Sequence, residues 1–105
     1  MASALLCREC ARWEHRQGRD PGPRLAGGLA KVSRVEVLRP GWPDATALRA
    51  SLLLAQADVA DAETGRRLAA EALQAFNRAL DDNPNLERAW GRERARALAR
   101  ATASR

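Results

Sequence analysis

Proline and glycine interrupt this chain at 18–23, 40–43 and 83–84, and between the interruptions apolar residues recur every three or four positions. That spacing is the period of an α-helix turning one apolar face inward. Ala fills 23 positions and Leu 14, both strong helix formers, while aromatic residues are limited to three Trp and one Phe and β-branched residues are scarce. An all-β fold is thereby excluded. With 105 residues, 46% apolar and 30% charged, the chain has the size and balance of a single globular domain, 1–105. Folding at that length buries roughly 60–70% of the unfolded surface.

Five helices are predicted, at about 2–17, 23–37, 43–59, 61–81 and 86–101. The first places Leu6, Cys10 and Trp13 on one face and stops at Gly18. The second turns Leu25, Gly28, Leu29, Val32 and Val35 inward; its adjacent Gly27 and Gly28 either weaken it or admit a neighbouring backbone. The third follows Pro40-Gly41-Trp42-Pro43, with Asp44 in the first turn, where the helix dipole favours an acid. Its main face is Ala45, Leu48, Leu52, Ala55 and Val59, and Leu53 and Leu54 widen it, so contacts on two sides are expected. Asp61 is the expected N-cap of the fourth, whose inward face is Ala69, Ala72, Leu73, Phe76 and Leu80. The fifth carries a thin apolar stripe, Leu86, Ala89, Trp90, Ala97 and Leu98, and an i,i+4 row of Arg88, Arg92, Arg96 and Arg100 on another face.

The net charge of +5 raises nucleic acid or an anionic membrane surface as a partner. Of the 18 basic residues 17 are Arg, and the charge is uneven: about +3 over 21–43, −2 over 61–82 and +4 over 85–105. No segment approaches 18 consecutive apolar residues, so no membrane span is expected, and the cytoplasm is the expected compartment. Cys7, Cys10 and the lone His15 lack a fourth metal ligand. On a continuous helix His15 lies about 140° from Cys10, so the three cannot face one ion. Reduced thiols and no metal are the expectation.

Pro40 and Pro84 lie 44 residues apart, and at that shift Leu29 superposes on Leu73, Val32 on Phe76, Arg34 on Arg78, Ala45 on Ala89 and Gly28 on Ala72. This is an internal helical repeat. Ala72, Phe76, Ala79 and Pro84 spell A-x3-F-x2-A-x4-P, which resembles the second helix and closing proline of a tetratricopeptide repeat. Trp90 falls where that family places the large residue of its next first helix, and Gly28, Val32, Val35 and Pro40 fill the same slots one repeat earlier. The period is 44 rather than the family's usual length of about 34, within the range of about 40–47 of HEAT and armadillo repeats. The Ala/Leu/Arg-rich texture, with G-R-D-P at 18–21, resembles the long repeats C-terminal to the catalytic domains of bacterial Ser/Thr protein kinases. The resemblance implies an all-α fold of antiparallel hairpins stacked as a short right-handed solenoid. It also implies a non-catalytic protein–protein interaction module within a larger bacterial protein. The Gly-rich loop, H-R-D and D-F-G motifs of a kinase are absent from the chain.

No catalytic constellation rises from the sequence: His15 is the only His, and Asp81 and Asp82, adjacent on a helix end, point apart. Neither enzyme activity nor a cofactor is expected. In the tetratricopeptide reading the first helix of each pair lines a concave groove. That implies Thr46, Leu48, Ser51, Arg88, Arg92 and Ala95 as partner-binding residues, with Arg88 and Arg92 pairing with acidic side chains of a protein or peptide. The open ends of the array also suit self-association. The alternative is an Arg-rich fifth helix that binds nucleic acid, although basic and aromatic residues are not interleaved on one face.

Overall fold

A proline at the first position of a helix sacrifices no hydrogen bond, because that amide has no intrahelical acceptor. Pro43 uses this position. It opens a helix behind the extended Trp42 (φ −73°, ψ 111°), whose carbonyl accepts from the amides of Ala45 and Thr46 at 3.1 and 3.2 Å. The computed structural model describes Ala4, Arg8, Cys10 and residues 22–103, and there the order is α1 (Gly22–Leu38), α2 (Pro43–Val59), α3 (Ala62–Asp82), a 3₁₀ turn (Pro84–Leu86) and α4 (Glu87–Thr102). No strand occurs among the described residues. Ala4, Arg8 and Cys10 are helical; the rest of the expected first helix, with Cys7, Trp13 and His15, lies outside the described residues. Cys10 is a free, half-buried thiol. No described helix is long and apolar enough to cross a membrane.

The connections follow from local chemistry. Gly41 turns the chain between α1 and α2 at φ 76°, the left-handed region where a Cβ is strained. Asp61 caps α3 as its sequence position predicts: its carboxylate accepts from the Thr64 amide at 2.8 Å and from the Thr64 hydroxyl at 3.1 Å. The Thr64 amide and then its hydroxyl hold the Asp61 carboxyl below its ordinary value of 3.8. A lowered pKa stabilises the fold fully above the ordinary value, and that contribution disappears as pH falls through the folded value. Asp61→Asn keeps a capping oxygen but cannot titrate. Its melting temperature is therefore expected to fall less steeply than the parent's as pH drops below about 4; thermal melts across that range check it, and parallel curves would refute it.

At the far end of α3, the Asn83 amide bonds to Ala79 O at 2.9 Å, and its side chain accepts from the Asn85 amide at 3.2 Å. Pro84 then opens the short 3₁₀ turn.

The core has two parts joined by α2. Leu48, Leu52 and Ala45 pack with Leu25 and Val32 of α1 and with Ala4. Ala47, Ala50, Leu54 and Ala57 pack with Ala69, Ala72, Ala75, Phe76 and Ala79 of α3 and Ala97 of α4. The two-sided burial expected from Leu53 and Leu54 is present: nine of the 17 residues of α2 are buried, as in a helix covered on more than one face. Trp90 touches both parts. Three expected inward residues are not inside. Val59 ends α2 and is 39% exposed, and Ala89 and Leu98 are exposed on α4. The physical reason on α4 is angular. Ala89 lies about 100° from Trp90, and Leu98 about 100° from Ala97, so a seam that covers Trp90 and Ala97 leaves both at its margins.

Candidate partner-binding surface

Six residues on two helices were expected to share a groove, and the structure does not bring them to one surface. Thr46, Leu48 and Ser51 are buried in α2, whereas Arg88, Arg92 and Ala95 are exposed on α4. The Thr46 hydroxyl donates back to Trp42 O at 3.4 Å, and Leu48 belongs to the core shared with α1. Ser51, fully buried, donates to Glu93 Oε1 at 2.8 Å and accepts from Arg8 Nη1 at 3.2 Å. Arg8 and Glu93 approach to 3.8 Å with side chains only 14% and 17% exposed, and the Arg8 guanidinium lies 5.4 Å from the Trp90 ring centroid. The space between α2 and α4 at this level is therefore filled by a polar cluster of the chain itself. Sequence reasoning missed Glu93. Its one signal was chemical: it is the only acid from residue 88 to the end, among six arginines.

The Arg row of α4 divides into two pairs with different surroundings. Arg96 is tied to Asp58 of α2 at 2.7 Å. Arg100 lies over Gly65, where an added Cβ would meet its guanidinium and would also stand 2.8 Å from the carbonyl of Ala57. The glycine at 65 thus permits the close approach of the α2 end, the α3 start and Arg100. Arg88 and Arg92 are exposed on the first turns of α4, with no ion pair among the described residues. They sit on the side of α4 roughly opposite Trp90 and Ala97. Arg94 pairs with Glu87 at 3.4 Å along the same helix. On the flank of α4 facing α3, Leu73 and Asn77 of α3 and Arg94, Ala95 and Leu98 of α4 line an open groove of about 300 Å³.

Among the described residues, no group of three or more His, Cys, Asp or Glu side chains is placed to hold a metal ion. Compared with protein-family models, curated proteins and solved structures, the chain finds no match in any of the three.

Proposed function

We propose that this chain is a non-catalytic protein–protein interaction module of tetratricopeptide-like helical repeats, binding an acidic segment of another protein through Arg88 and Arg92. Within that reading, the helices form a short right-handed solenoid of antiparallel hairpins belonging to a larger bacterial protein, such as a Ser/Thr kinase with a repeat tail. The repeat assignment is supported by Ala72, Phe76 and Ala79, which are all fully buried at the slots the motif reserves for packing, and by Trp90 against Phe76. The single observation that carries the binding reading is the division of the Arg row. Arg96 and Arg100 are engaged within the fold, whereas Arg88 and Arg92 face solvent together, one turn apart. An i,i+4 pair of guanidiniums near a helix N-terminus suits carboxylates, which the helix dipole also favours there. A continuous four-Arg stripe, as a nucleic-acid backbone would use, is interrupted by the Asp58 pairing.

The double change Arg88→Glu with Arg92→Glu is expected to abolish capture of a native protein partner while leaving the helical circular-dichroism spectrum unaltered. Arg96→Glu with Arg100→Glu is expected to act differently, lowering the melting temperature by setting a carboxylate against Asp58. Binding to duplex DNA that collapses by orders of magnitude between about 50 and 200 mM salt, and depends on all four arginines, would instead favour the nucleic-acid alternative.

A further inference from the structure

The groove between α3 and α4 is open, and the exposed Arg88 and Arg92 lie on the next face of α4. Its apolar elements are Leu73 on α3, half-buried, and Leu98 on α4, which remains 50% exposed although it is one of the larger apolar side chains of that helix. One turn beyond Gly91, which the Glu87 side chain covers, Ala95 and Ala99 stand four residues apart along the adjoining surface of α4. With no side chain beyond Cβ, that row lets another helix backbone come close, and the i,i+4 ridges of an incoming helix fit such a furrow. The outer rim, on α4, is cationic. α4 carries five Arg against two Glu. Glu93 is turned to Ser51 and Arg8, and Glu87 pairs with Arg94, so the outward-facing charge at the start of α4 is that of Arg88 and Arg92.

We infer that the α3–α4 groove is the seat of an amphipathic helix from a partner protein. Two of its apolar residues, three or four apart, would lie on Leu73 and Leu98, and acidic side chains along its outer edge would face Arg88 and Arg92. The inference rests on the interaction reading and deepens it, by giving the acidic partner segment a conformation and a second, apolar point of attachment. A helix laid on an apolar groove uses its i, i+3/i+4 and i+7 positions as anchors, and the flanking charges select the partner. Asn77 on the groove wall offers a hydrogen-bonding amide without adding charge.

The probe is a designed amphipathic peptide of about 18 residues, about five helical turns, with Leu along one face and Glu on both flanks. A companion carries Lys in place of every Glu. Titrated into the full chain by fluorescence anisotropy, the Glu peptide is expected to bind and the Lys peptide to fail. Leu98→Glu, at a half-exposed site that the fold tolerates, is expected to weaken binding at least tenfold with an unchanged helical spectrum. Ala95→Trp, which fills the groove floor without altering charge, is expected to do the same. Amide shifts in NMR spectra of the labelled chain should centre on Leu73, Asn77, Ala95 and Leu98. Loss of binding on Arg88→Glu with Arg92→Glu, but none on Leu98→Glu or Ala95→Trp, would overturn the groove while leaving the interaction reading intact. Equal binding of both peptides would overturn the acidic partner. Leu98-dependent dimerisation of the chain by light scattering would make a second copy the occupant, and displacement of the peptide by duplex DNA would make it nucleic acid; either result overturns the inference.

Discussion

Phe76→Ala is expected to lower stability by about 3–5 kcal/mol, a large share of what holds a domain this small together. Phe76 is the largest fully buried side chain of the described core, with its ring centroid 6.1 Å from that of Trp90. The residues around it set the size of the penalty. Ala47, Ala50, Ala72, Ala79 and Ala97 share its cluster, and alanines have no rotamers with which to fill the space a missing ring leaves. Leu54 within the cluster and Leu68, Leu73, Leu86 and Trp90 at its edge are left to close the cavity, and how far they move sets the cost within that range. Trp90, which meets both halves of the core, loses its aromatic neighbour in the same step. Urea unfolding followed by far-ultraviolet circular dichroism measures the loss. A midpoint within error of the parent would mean that α3 does not use Phe76 to hold α2 and α4.

Glu93→Ala is expected to cost about 1–3 kcal/mol, and it acts through a different mechanism. The mutation leaves the Arg8 guanidinium and the Ser51 hydroxyl largely buried without the acceptor they share. Removing the carboxylate takes away the counter-charge that faces Arg8 in this cluster and the acceptor of the buried Ser51 hydroxyl, and a buried donor left without its acceptor costs its desolvation. The partial exposure of both side chains moderates the cost. Arg8→Met combined with Glu93→Ala is expected to cost less than the sum of the two single changes, because the two side chains act in one cluster. A double-mutant cycle of unfolding free energies reads the coupling. Independent, additive effects would remove Arg8 from the cluster.

Several elements of the fold were legible in the residues themselves. The boundaries of α2 coincide with those expected, because Pro43 and the Ala60-Asp61 turn are local stop and start signals. The inward residues of α1 and α3 also emerged from period alone: Leu25, Gly28 and Val32 are buried, as are Ala69, Ala72, Phe76 and Leu80. α4 was read less well. Its stripe is thin, so a rotation of one residue moves Ala89 or Leu98 from the core to the surface, and the pattern cannot discriminate between those settings. The candidate surface was legible only in part. Arg88, Arg92 and Ala95 are exposed as expected, but the α2 residues assigned to the same groove are inside.

Period, capping and chain breaks by themselves determined that the described residues are helical, where α1 to α4 begin and end to within a residue, and which side chains of α1 and α3 lead the core. These are consequences of interactions within a few residues of one another, and the order of residues states them directly. The tertiary structure decided what happens between segments some 40 residues apart: Ser51 joined to Glu93, Arg96 to Asp58, and Arg100 laid over Gly65. Nothing local distinguishes Arg96 from Arg92 on an exposed row. Only the packing of α4 against α2 and α3 brings Asp58 within reach of one and leaves the other to solvent, because side-chain pairing depends on where two helix surfaces meet.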